Sequence, residues 1–361
     1  MDIILNFTHS WFMLDGTTLR AQENLLLEIR ETDPMRYLML ALAACVLTTT
    51  TFAADAQTLR LSTQGNPPHP WLDAAETLKS EVETATNGRV KIEIFGGATL
   101  GRDATALDEM RLGTIDLLIG GTQEATPFFP EFQLFSISYL FPNIDIFRKA
   151  MAPDSEVVSY FNRVYEQSEN GLKLLALTGG GIRNLSNNQH EVANLEDLSG
   201  LKMRVPGSRL DAVMWETSGA QPVSLPFTEL YTALQTGVAN AFESSISAYV
   251  GNKLYEVAPY HSMTQHQFLV SHITISSIAW NRLSNDDKEI FRAAAAKAAV
   301  VGIDKGIEYD SSLLQPLIDS GKVTVTEVDK TPFIEVVRPL HDEVAKEIGA
   351  TEVLNAIRAL K

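Results

Sequence analysis

The sequence predicts an α/β protein made of two doubly wound lobes, and three observations carry that prediction. Residues 58–119 read as β-α-β-α-β. Residues 200–245 read as two strand–helix units back to back, ending on a third strand. The chain left after the first 56 residues is long enough to bury two proper cores.

In chain order, residues 1–34 show no clean hydrophobic pattern and read as an extension upstream of the true start, Met35. Met35-Arg36 is followed by an apolar run over 37–47, a threonine tract and Ala54-Asp55-Ala56. A basic start, a short apolar core and an A-x-A site predict a Sec signal peptide over 35–56, cleaved after Ala56, and so a periplasmic protein. The run is too short to span a bilayer. Leu42-Ala43-Ala44-Cys45 also fits a lipoprotein site, but would leave a leader of only ten residues.

Residues 58–63 alternate as a strand that ends at Gln64-Gly65-Asn66-Pro67-Pro68, and 71–85 form an amphipathic helix. Val90, Ile92 and Ile94 mark the next strand, which turns at Gly96-Gly97 before a short helix over 105–112. Residues 115–119 suit a buried parallel strand. The aromatic block 128–141 reads as packing between a sheet and its helices. Residues 172–177 form a strand leading into Thr178-Gly179-Gly180-Gly181-Ile182-Arg183. Three consecutive glycines suggest backbone that must bend, and their spacing fits neither a Walker loop nor a dinucleotide fingerprint.

In the second lobe, 202–205 is a strand stopped by Pro206-Gly207, and Ser208 is placed to cap the following helix, which carries Leu210, Val213 and Met214 on one face. Residues 221–225 form a strand, 228–235 a helix closed by Gly237, and 238–242 a strand with Glu243 at its carboxyl end. A long alternating segment from Gln267 crosses back to the first lobe. Residues 285–318 are mainly helical, 322–328 form a strand, and helices over 333–348 and 351–360 close the chain.

Arg204 stands at the carboxyl end of a strand, where open α/β sheets place their ligand crevices. Its planar, permanently charged guanidinium matches the two oxygens of a carboxylate. By spacing alone it reads equally well as a surface arginine in a weak ion pair.

Three blocks decide between these readings: Leu201-Lys202-Met203-Arg204-Val205-Pro206, Gly219-Ala220-Gln221-Pro222-Val223, and the run from Phe227 to Gly237, FTELYTALQTG. In order and spacing they resemble the signature region of the solute-binding proteins of tripartite ATP-independent periplasmic (TRAP) transporters, the dicarboxylate-binding DctP type. The likeness runs from about residue 57 to the end. It implies a two-domain periplasmic binding protein type II fold with hinge strands and a long bracing helix. Domain I would be 57–180 plus 269–308 and domain II 181–268 plus 309–361, with the ligand cleft between them.

The resemblance further implies that Arg204 holds a ligand carboxylate, aided by Arg183, with Phe227 packing nearby. Asn66 matches a polar ligand-contacting position, though a plain turn asparagine reads as well. Glu243 falls where relatives carry a ligand-facing acid followed by asparagine and proline. Here Ser244 and Ser245 follow it, which changes the donor pattern and speaks against a sialic-acid-type ligand. Glu124 is a candidate for ligand hydroxyls, and Trp215 reads as packing.

The implied function is capture of an organic acid anion (a C4-dicarboxylate, a uronic or aldonic acid, or a related hydroxy acid) by lobe closure. The acid would then pass to the small and large membrane subunits of an ion-gradient-driven transporter. The receptor is expected to be a monomer without cofactor.

The formal charge of −16 argues against nucleic acid and anionic membrane surfaces. The one cysteine, Cys45, lies in the leader, so no thiol chemistry is expected of the remainder. The histidines show no metal-ligand spacing and read as structural, and no serine sits in a nucleophile-elbow context. Two other readings stay open: an ATP-driven or sensor-linked binding protein, and an exported sugar-acid enzyme using Glu243 and Glu124 as acid and base.

Overall fold

The computed structural model describes residues 57–360, so the expected extension, signal peptide and cleavage site lie outside the described residues. β1 (Gln57–Ser62), β2 (Val90–Phe95) and β3 (Leu117–Gly121) are parallel and form one end of a mixed sheet. α1 (Pro70–Ala85) and α2 (Asp103–Leu112) connect them. α1 starts at Pro70, and the His69 imidazole accepts from Trp71 N at 3.2 Å to cap it. Buried in apolar surroundings, that imidazole has its pKa pulled down to about 3, which keeps it a neutral acceptor.

After β3 the chain winds through 3₁₀ turns, α3 (Ile144–Met151) and α4 (Glu156–Gln167). The aromatic block packs as expected: Phe129 stacks on Tyr165 at 3.8 Å between centroids and Phe132 on Phe161 at 4.7 Å.

Two long antiparallel strands join the halves of the sheet: β4 (Leu172–Asn187), and β8 (Tyr260–Ser276), which arrives after the second lobe. At ~3.3 Å per residue each is about 55 Å long, enough to serve both lobes. β4 does not end at Leu177. It runs on through the glycines, and its pairing with β8 shifts register between Gly179 and Ile182 and again between Arg183 and Leu185. Gly181 has φ +96°, so the bend expected there is made by a bulge inside a continuous strand.

The second half of the sheet comprises β5 (Lys202–Val205), β6 (Gln221–Ser224) and β7 (Ala241–Ser245). α5 (Arg209–Thr217) and α6 (Leu230–Thr236) connect them, and α7 (Ile246–Gly251) follows β7 directly. β7 lies three residues later than expected, so Glu243 is inside the strand rather than at its end. The complete order is β2-β1-β3-β8-β4-β7-β5-β6, with β9 (Thr324–Glu327) beside the start of β8.

Short α8 (Ser277–Arg282) leads into α9 (Asn285–Ser312), the long helix the resemblance implies. Ser284 caps α9, its hydroxyl accepting from Asp287 N at 3.1 Å. Its alanine-rich face joins α1 and the sheet in one core that holds Ala295, Ala298, Leu78 and Ile275. α10 (Gln315–Asp319), α11 (Thr331–Val337), α12 (Leu340–Glu347) and α13 (Thr351–Ala359) complete the chain. The helix expected over 333–348 is split at Pro339, which cannot continue it.

α12 and α13 were placed with domain II; Val344, Val353, Leu354 and Ile357 lie in one core cluster with Phe132, Phe135 and Phe161 and also with Leu210 and Met214 of α5.

Candidate functional site

β5 alternates. Met203 and Val205 enter the second lobe's core, while Arg204 turns to the other face and is 1 % exposed. Its Nε and Nη2 both donate to Leu225 O, at 2.9 and 2.7 Å, and its guanidinium carbon lies 5.7 Å from the Phe227 ring centroid. Among the described residues no carboxylate comes within ion-pair distance of it. Burial pulls its pKa down to about 10, opposed by the charges of Glu243 and Glu124. A buried cation satisfied by one carbonyl and an aromatic face is under-compensated, and an anion would complete it.

Arg183 differs. The antiparallel register of β4 and β7 sets Arg183 opposite Ser245 and Leu185 opposite Glu243, so Arg183 and Glu243 are diagonal neighbours on one face. Arg183 Nε donates to Glu243 Oε2 and Nη2 to Oε1 at 2.5 Å, a bidentate pair. Burial alone would lower the Arg183 pKa, but the Glu243 carboxylate beside it raises it. For Glu243 burial pushes up, while Arg183 and the His266 ring, with Nε2 at 3.5 Å, hold it below the usual range.

The cavity beside these arginines continues to a second, polar end. That end is brought together from separate elements: Gln64 after β1, Asp103 at the start of α2, and Gln123 just past β3, while the neighbouring Glu124 lies near Gly207 and its charge acts on both arginines. Asp103 Oδ2 accepts from Gly121 N at 3.2 Å, whereas its Oδ1, Gln64 Oε1 and Gln123 Nε2 are buried without a hydrogen-bond partner. Burial pushes the Asp103 carboxyl up to about 7. Gln64, Asp103 and Gln123 bring amide and carboxyl groups to one end of the cavity, donors and acceptors of the kind hydroxyl groups pair with.

Of the residues singled out from sequence, Arg204, Arg183, Phe227, Ser244 and Glu124 line this cavity. Glu243 does not. It is 1 % exposed behind Arg183, because the register directs its carboxylate at the guanidinium rather than at the cavity. Asn66 does not line the cavity either, since its amide is turned to Asn252 Oδ1 at 2.7 Å. Ser208 makes no cap bond: its hydroxyl lies 2.9 Å from Ser136 Oγ, which is also 3.0 Å from Asp211 Oδ2. Trp215 is buried and meets the edge of His266, as packing requires.

Gln64, Asp103, Gln123 and Asn252 were missed. Gln64 read as part of a turn, Asp103 and Gln123 fell between the expected elements, and only the arrangement of β1, α2 and β3 brings them together. Among the described residues no group of His, Cys, Asp and Glu is placed to hold a metal ion. None of their helices is long and apolar enough to cross a membrane.

Residues 61–347 match the DctP family, described as Bacterial extracellular solute-binding protein, family 7. The chain belongs to that family. A solute-binding protein of Sulfitobacter sp. (strain NAS-14.1) is 30 % identical over 320 residues, 88 % of this chain and 96 % of the relative. A TRAP periplasmic solute-binding protein from Polaromonas sp. JS666, solved with D-erythronate, superposes with TM-score 0.79 at 29 % identity, covering 84 % of this chain and 99 % of that one. One from Chromohalobacter salexigens, solved with D-glucuronate, gives TM-score 0.78 at 28 % identity, covering 84 % and 100 %. This solute-binding protein therefore has the two-domain α/β fold of the TRAP receptors, a family of receptors rather than enzymes.

Proposed function

We propose that this receptor captures a hydroxylated organic-acid monoanion of the uronate or aldonate kind and closes its lobes around it. It would then deliver the acid from the periplasm to the small and large membrane subunits of a TRAP transporter. The observation that carries this reading is the polarity of the cavity. One end offers the under-compensated Arg204 with Arg183 beside it, and the side chains of Gln64, Asp103 and Gln123 line the other. A carboxylate suits the first end and hydroxyls the second. Sugar acids bound to the related receptors support the same assignment.

A C4-dicarboxylate fits less well, because its second carboxylate would meet the Asp103 carboxyl with no lining cation beside it. The enzyme reading loses its acid–base pair, since Glu243 is held on Arg183 away from the cavity. The lobes we assign are 57–180 plus 269–308 against 181–268 plus 309–361. β4 and β8 pass between them as the hinge, and the receptor acts as a monomer.

Titration calorimetry with D-glucuronate, a galactonate and succinate tests the ligand class. The sugar acids should bind at least tenfold more tightly than succinate, and tighter binding of succinate would refute the monoanion assignment. In Gln123→Ala, D-glucuronate should weaken about fivefold, the loss of one hydrogen bond of about 1 kcal/mol. Glycolate, too short to reach that end, should bind as before. An equal loss for both acids would remove Gln123 from the hydroxyl subsite.

A further inference from the structure

Beside the cavity, but away from the arginines, a loop of the first lobe meets the end of α7 in the second. Asn66 Nδ2 donates to Asn252 Oδ1 at 2.7 Å, and Asn252 Nδ2 turns back to Ala248 O at 2.9 Å. Gly251 is closer still. A β-carbon there would stand 2.7 Å from Asn66 O and 3.4 Å from Pro67 O. These are backbone atoms with little room to give, because Gly97 N donates to Gly65 O at 2.9 Å and Ala98 N to Thr63 O at 3.1 Å, bracing the loop from behind.

Nothing within the second lobe asks for glycine at position 251. It is the last residue of α7 and its φ lies outside the left-handed region, so an isolated lobe would favour alanine. What the missing side chain provides is the close approach of loop 65–68. Ala248 and Asn252 of the same turn line the cavity, so the seat of the loop and the wall of the binding site are one piece.

We propose that Gly251 and the Asn66–Asn252 pair form a clasp that permits full lobe closure, and that they are positioning residues setting ligand affinity and release from outside the arginine site. The clasp rests on the closure assigned above. Apparent affinity scales with the fraction of molecules that reach the closed geometry, so a residue that touches no ligand can govern it. Gly251→Ala blocks the seat in the closed form alone. Asn66→Ala removes the cross-lobe hydrogen bond at a residue that does not itself line the cavity, although its partner Asn252 does.

The test uses the mature chain, whose lack of cysteine lets exposed Lys91→Cys and Glu229→Cys carry spin labels, one on each lobe. Binding of D-glucuronate and the inter-label distance are measured for wild type, Gly251→Ala and Asn66→Ala. Gly251→Ala is expected to melt like wild type, to bind at least tenfold more weakly and to keep the wider distance at ligand concentrations that close wild type. Asn66→Ala should fall between them, and decides the matter if Gly251→Ala melts early. Wild-type affinity and distances in both variants overturn the clasp. If D-glucuronate fails to bind wild type, that acid is not the ligand, and the unliganded distances decide: fewer closed molecules in Gly251→Ala support the clasp, and identical distributions overturn it.

Discussion

Arg204→Ala is expected to weaken sugar-acid binding at least 100-fold while the unliganded receptor unfolds near the wild-type midpoint. The two halves of this result share one cause. Charge-assisted bonds to a carboxylate contribute about 1.5–3 kcal/mol each, and a guanidinium fork makes two of them, so losing both exceeds a 100-fold change. Without an anion the same guanidinium is a desolvated cation served by Leu225 O and the Phe227 face, and burial has already drawn its pKa down to about 10. Truncation leaves a void, which destabilises, but it also removes a poorly compensated buried charge, which stabilises. Arg204→Lys retains the charge without the planar fork and should lose about tenfold. Calorimetric titration and urea unfolding of the three proteins check this. Full-strength binding by Arg204→Ala would remove that residue from the carboxylate site.

What the sequence made legible divides along the distance between interacting residues. Arg204 was legible because a short strand, a Pro-Gly stop and a helix are local grammar, and the three signature blocks lie within 37 residues of chain, 201–237. The glycine run was read as a bend, and a bulge at Gly181 is what the structure has there. Glu243 was placed in the cleft because it falls where the resembled receptors carry a ligand-facing acid, but that match does not specify which neighbour the side chain faces. That depends on the β4–β7 register, which pairs residues about 60 apart. Asn66 meets a partner 186 residues away, and Asp103 joins Gln64 and Gln123 only once three strands are aligned. The apolar stripe of α13 is likewise visible in sequence, but not that Phe161 and its neighbours form the surface it covers.

The other large effect is expected at a residue that touches no ligand. Glu243→Ala should cost about 3–5 kcal/mol of folding stability, the range for removing one partner of a buried ion pair. Arg183 would be left 8 % exposed, with its Nε unpaired, its Nη2 keeping only the backbone O of residue 243 at 3.3 Å, and another buried cation, Arg204, near enough to feel its charge. The pH dependence has a definite sign. Arg183 holds the folded-state pKa of Glu243 below its unfolded value, so the stabilisation is fully present above the unfolded pKa, about 4.3. It disappears as pH falls through the lower folded value. Wild type and Glu243→Ala should therefore differ most in urea midpoint at neutral pH and converge in acid. Replacing both partners by apolar residues, Arg183→Met with Glu243→Leu, should recover most of the stability because no charge is left unpaired. Binding would stay weak, since Arg183 is lost from the carboxylate end. A double variant no more stable than Glu243→Ala would show that the pair itself holds β4 to β7. In that case Glu243 would be a structural tie between the strands rather than the counter-ion that keeps Arg183 in place for the ligand.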